Sequence, residues 1–120
     1  MKLSDSRPIF TQIMAWVEDN ILRGDWQPGY QLPSVREMSG RFTVNNNTIV
    51  RTYEHLTLSG TIYSQRGVGY FVSPDARESI LSRRREEFYS DILPYFINQI
   101  EVLGISPDEI SSIIKRNVKK

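Results

Sequence analysis

From Pro8 to Arg23, apolar residues recur at Ile9, Ile13, Trp16, Val17 and Ile21, the three-and-four spacing of an amphipathic helix. Pro8 suits a first helical position, where its missing N–H has no helical partner to lose. Gly24 marks the end, and Asp25–Tyr30 is a turn carrying the Pro28-Gly29 signal. Gln31-Leu32 allows only a very short strand. A second helical pattern starts at Ser34. With Glu37 three residues on, Ser34 makes a capping box, each side chain satisfying a free backbone N–H of the other residue. Pro33 biases Leu32 away from helix and sharpens the boundary. Val35, Met38 and Phe42 turn inward, leaving Arg36, Glu37 and Arg41 outside.

The tight connection Thr43-Val44-Asn45 leads to a third helix, from near Asn45 to about Ser59, with Gly60 as the residue after its end. Ile49, Tyr53 and Leu56 share its inner face. Asn47, Arg51 and Glu54 point the opposite way, flanked by Thr48, Val50 and His55. An outer face rich in amides, with one arginine, suits a DNA major groove. Asn pairs bidentately with adenine, Arg pairs with guanine or a phosphate, and the helix N-terminus favours anions. This is a candidate recognition helix.

After Gly60 the period changes to two. Thr61–Ser64 and Tyr70–Val72 are short β-prone runs joined by Gln65-Arg66-Gly67-Val68-Gly69, a hairpin tip with one cation and two glycines. Three helices followed by such a hairpin make a winged helix-turn-helix. Beyond Ser73-Pro74-Asp75, residues 76–103 read as helix, with Ile80, Phe88, Ile92, Tyr95, Phe96, Ile100 and Leu103 on one broad face. Pro94 must kink or split that helix, because it lacks an N–H and its ring crowds the preceding turn. Gly104 closes it. Ser106 and Glu109 predict a second capping box, opening a last helix through Ile110, Ile113, Ile114 and Val118. The fold class is mainly α with a small β-hairpin: a winged helix-turn-helix at 1–74 and a helical tail at 75–120.

Composition narrows the function without choosing it. A chain of 120 residues makes one compact domain, or a small domain with a helical appendage. It has no cysteine, so thiolate metal sites and disulfides are excluded, and a reducing cytoplasm is compatible. No apolar run reaches membrane-spanning length, and the N-terminus lacks a signal-peptide pattern. The formal net charge of +1 lends no support to nucleic-acid binding, so that reading rests on where the charges fall. His55 is the one histidine and has no ligand partners at metal spacing. No cofactor and no metal are expected, and the absence of a Ser/His/Asp set or paired carboxylates speaks against an enzyme.

With these elements placed, the chain resembles the GntR family of transcriptional regulators, in its short YtrA type. Pro8–Ile13, Gly24–Glu37, Val44–Leu56, Gly60 and the wing Arg66–Val72 carry the resemblance. It implies a cytoplasmic homodimer, usually a repressor, on an approximately palindromic operator in double-stranded DNA, and for the YtrA type the control of transporter operons. It also implies that Arg36 contacts DNA, that the start of the third helix reads bases, and that the wing glycines approach the minor groove. At Asn46 many relatives carry Arg, and YtrA-type members often Pro.

The expected DNA-binding residues are therefore Ser34, Arg36, Asn45, Asn46, Asn47, Thr48, Arg51, Arg66, Gly67 and Gly69. Asn47 and Thr48 read bases, while Arg36, Arg51 and Arg66 anchor phosphates or groove edges. Bland roles stand beside these. Asn45 caps its helix, Arg51 can pair with Glu54 or His55, and the glycines can serve turn geometry alone. The tail face from Ile80 to Leu103 is expected to pair with a second copy. Residues 83–87, three Arg followed by two Glu, read as a solvated face with local ion pairs. The alternative function is a winged-helix protein–protein assembly module, which steep salt dependence of DNA binding would exclude. The residues name no small-molecule effector and require no membrane.

Overall fold

The computed structural model of the chain describes residues 7–119. The elements are α1 (Ile9–Leu22), α2 (Val35–Phe42), α3 (Asn46–Leu58), β1 (Ile62–Gln65), β2 (Gly69–Val72) and α4 (Ala76–Glu87). A π turn (Phe88–Ile92), α5 (Leu93–Leu103) and α6 (Pro107–Asn117) follow. They divide into two compact units, the first ending at Ser82 and the second beginning at Arg83.

The inward positions read from the sequence build the first unit. Ile13, Val17 and Ile21 of α1 meet Met38 of α2, Ile49, Tyr53 and Leu56 of α3, and Ile62 and Val72 of the hairpin in one buried cluster. Each fully buried side chain of this size contributes about 1.5–3 kcal/mol. Pro8 caps α1 with extended backbone and is not its first helical residue. Its carbonyl still accepts from the N–H groups of Thr11 and Gln12. The turn between α2 and α3 is made by Thr43, whose φ of 54° lies in the left-handed region. That conformation is costly for a β-branched residue and aims the chain into α3.

The wing is antiparallel, with Ile62 opposite Val72, Tyr63 opposite Phe71, Ser64 opposite Tyr70 and Gln65 opposite Gly69. Gln31 supplies the expected short strand as a single bridge to Phe71. Hydrogen bonds from Leu32 N–H to Tyr70 O, and from Val72 N–H to Tyr30 O, tie this bridge to β2. The helix-turn-helix and its wing are thus one hydrogen-bonded body.

Ile80 departs from the expectation that it joins an open tail face. It is 2% exposed and lies in the core of the first unit with Ala76. Helical spacing shows that Ile80 turns inward, but not toward which core. For the same reason the first unit continues beyond Pro74, where the expected boundary stood, into the early turns of α4.

In the second unit Pro94 neither breaks the helix nor leaves it regular. The preceding residues adopt a π turn in which Leu93 N–H donates to Phe88 O, and α5 continues with Pro94 in its first turn. The wider turn admits one more residue, relieving the crowding between the proline ring and the carbonyls behind it. Gly104 ends α5 with a φ of 65°, and Ile105 N–H returns to Ile100 O. Ser106 caps α6 through the N–H of Asp108, not through the full box expected with Glu109. Phe88, Ile92, Tyr95, Phe96 and Leu103 are exposed, and Ile100 is half-buried. Arg83 pairs with Glu87 one turn on, at 3.4 Å, as the charge run predicts.

Candidate nucleic-acid interface

The start of α2 forms as its sequence dictates. Ser34 Oγ accepts from Glu37 N–H at 3.1 Å, and Glu37 Oε1 accepts from Ser34 N–H at 3.0 Å. These bonds hold the Glu37 carboxyl below the usual carboxylate range, the Ser34 backbone N–H most, then the Ser34 side chain, with a smaller pull from Arg41. The box leaves Arg36 exposed, and its side chain makes no hydrogen bond or ion pair among the described residues. Ser34 also borders an open groove of about 520 Å³ between α2 and the wing, with Glu37, Arg41, Gln31, Val68 and Gly69 around it. Ser34 and Gly69, distant in sequence, share this concavity.

Asn45 caps α3, its Oδ1 accepting from Thr48 N–H at 3.2 Å. Its oxygen is committed to the helix, whereas Asn46 and Asn47 are exposed and keep complete amide edges. Thr48 is half-buried beside them, and Val50 stands out at 38% exposure. The inner face is anchored by Tyr53, whose hydroxyl donates to Pro33 O and whose ring meets Tyr70 edge-on at 4.9 Å. Burial first, then the nearby Glu37 carboxylate, pushes the Tyr53 hydroxyl pKa up, so it stays a donor across the physiological range. A single side chain thereby locks α3 to the α2 entry and to the wing.

Arg51 forms none of the pairs considered for it. Its guanidinium carbon sits 4.5 Å from the centre of the Phe10 ring, and His55 stacks on that ring at 4.8 Å. Arg41, on α2, lies over Trp16 at 5.3 Å. Trp16 and Trp26 meet edge-on at 5.4 Å and pack against each other. At the wing tip Arg66 is exposed, and Gly67 takes a φ of 76° in the turn. Gly69 has a φ of 146°, and a Cβ there would lie 2.8 Å from Gln31 Nε2. That amide donates to Val68 O at 3.0 Å.

Phe10 and Gln31 are the residues that sequence reasoning missed. Phe10 sits among the apolar positions of α1 as one more helix residue, and no local pattern links it to α3. Gln31 belongs to the predicted short strand, but its side-chain partner Val68 lies in another part of the chain. Among the described residues no group of His, Cys, Asp and Glu side chains has a metal-holding arrangement, and no helix is long and apolar enough to cross a membrane.

Known proteins share this arrangement. Residues 10–72 match the family described as bacterial regulatory proteins, gntR family. The HTH-type transcriptional repressor YtrA of Bacillus subtilis (strain 168) is 36% identical over 110 residues, spanning 92% of this chain and 84% of that protein. A GntR family transcriptional regulator from Listeria monocytogenes superposes with a TM-score of 0.74 at 30% identity, covering 98% of this chain and all of that one. The DNA-binding domain of AraR, solved in complex with operator ORE1, superposes with a TM-score of 0.55 at 26% identity, over 61% of this chain and 89% of that one. These are DNA-binding regulators and not enzymes. With its winged helix-turn-helix and the match across residues 10–72, the chain belongs to the gntR family of bacterial transcriptional regulators.

Proposed function

We propose that this regulator is a cytoplasmic homodimeric repressor that reads an approximately palindromic operator through the N-terminal half of α3. The observation that carries the reading is the exposed, unpaired pair Asn46 and Asn47 at the start of that helix. Their amide edges match the acceptor and donor of adenine in the major groove. Thr48 supplies a hydroxyl beside them. Arg36, Arg51 and Arg66 anchor phosphates or groove edges, and the backbone around Ser34 and Asn45 approaches the sugar-phosphate strand. The wing tip at Gly67 and Gly69 approaches the minor groove. The repressor reading draws support from the similarity to YtrA, and the DNA reading from the AraR–operator complex.

Dimerisation is assigned to the second unit. Phe88, Ile92, Tyr95, Phe96, Ile100 and Leu103 place an apolar face on α5 and the π turn, and Tyr95 and Leu103 are 67% and 65% exposed. A second copy covering that face brings two α3 helices into one assembly, and a symmetric site requires them to meet half-sites about one DNA turn apart. The test is selection of bound duplexes from a random pool at two salt concentrations. An enriched inverted repeat, with affinity falling steeply as salt rises, is the expected result. A folded, dimeric protein that enriches nothing would instead favour a protein-assembly role for the same face.

A further inference from the structure

We infer that Phe10 is a positioning residue for DNA binding, holding the Arg51 guanidinium in place on α3 before DNA arrives. Phe10 lies at the start of α1 and is half-buried, with its ring against two side chains of α3. Arg51 is exposed on α3, and its guanidinium carbon is 4.5 Å from that ring's centre. His55, one turn further along α3, stacks on the same ring at 4.8 Å with 29° between the planes. Neither Glu54 nor any other acid among the described residues takes an ion pair from Arg51.

The chemistry of this stack matters for recognition. An aromatic ring attracts a guanidinium by its face. The five N–H donors lie around the guanidinium edge, and all of them stay open. A hydrogen bond to Glu54 would have occupied the donors that a phosphate needs. The ring thus orders a long, rotamer-rich side chain without using its donors, and ordering it in advance removes a cost that would otherwise fall on binding. Phe10 touches no DNA in this scheme. It acts through Arg51.

The inference rests on the proposed DNA binding by α3, and the experiment separates the two. Phe10→Leu keeps an apolar side chain of similar bulk without the ring, Phe10→Tyr keeps the ring, and Arg51→Ala removes the cation. Each full-length variant, and the Phe10→Leu/Arg51→Ala pair, is measured against the selected operator across a salt series. The Arg51 side-chain proton resonances of the free proteins are recorded alongside.

Wild type and Phe10→Tyr should show ring-shifted Arg51 resonances and equal affinity. Phe10→Leu should lose that shift and bind roughly two- to fivefold more weakly, the range of an exposed cation–π contact, with its salt slope unchanged. Arg51→Ala should lower the slope by about one phosphate contact, and adding Phe10→Leu to it should change nothing more. Unshifted Arg51 resonances in the wild type, or an equal loss from Phe10→Leu with and without Arg51, would overturn the positioning role while DNA binding stood. A wild type that binds no duplex at low salt would sink both.

Discussion

Gly69 sits under two demands at once. Its φ of 146° is one that side chains other than glycine rarely adopt, and the Gln31 amide fills the space where a Cβ would go. Gln31 in turn donates to Val68 O, so a methyl group at Gly69 would have to shift the amide that bonds the wing tip. Gly69→Ala should therefore destabilise the protein by about 1–2 kcal/mol, read by thermal or urea unfolding. Adding Gln31→Ala should recover only the part due to crowding, since the backbone strain persists. An unchanged midpoint in Gly69→Ala would remove this account. The turn glycines themselves are legible in the sequence as glycines flanking a lone valine. The reason Gly69 in particular must lack a side chain is not, because Gln31 is brought to it only by folding.

Among the elements, α2 has the start most fully written in local sequence. Ser34 and Glu37 are three residues apart, and their reciprocal bonds need no help from the rest of the chain. The folded state holds the Glu37 carboxyl below its ordinary range, through the Ser34 backbone N–H above all. The sign follows by linkage. The box's contribution is fully present above the pKa that Glu37 has when unfolded, and is lost as pH falls through the depressed folded value. Acidification beyond the usual carboxylate range should open the entry to α2, seen as a titration of the Ser34 amide resonance. Glu37→Gln should abolish that titration while keeping a hydrogen-bonding side chain; a Ser34 amide indifferent to acid in the wild type would refute the linkage. The π turn ahead of Pro94 shows the opposite case. A proline inside a helical pattern announces a disturbance, but whether the helix ends, bends or widens depends on how the surrounding turns absorb it.

For the whole molecule, the placement of Ala76 and Ile80 decides where the DNA-binding unit ends. Both are buried in one cluster with residues of α1, α3 and the hairpin, so a fragment cut after Ser73 would lose part of that core. A fragment ending at Ser82 should stay folded, sediment as a monomer, and bind a palindromic site much more weakly than the full chain. The fragment ending at Ser73 should unfold at lower temperature. A dimeric fragment ending at Ser82 would take dimerisation away from α5 and the π turn.

What the sequence by itself determined is everything carried within about two helical turns. The caps at Ser34 and Asn45, the period of three and four in α1 to α3, the change to a period of two in the wing and the exposed amides of α3 all belong to that range. The shared order and spacing of these pieces made the family legible as well. Tertiary structure alone decided which core receives Ile80, which ring receives Arg51, and why Gln31 and Gly69 must fit each other. The physical reason is common to all three. A helical period says that a side chain faces inward and a charge says that it seeks a partner. Which neighbour it meets depends on the packing of segments far apart in the chain, and that is settled only when they share one core.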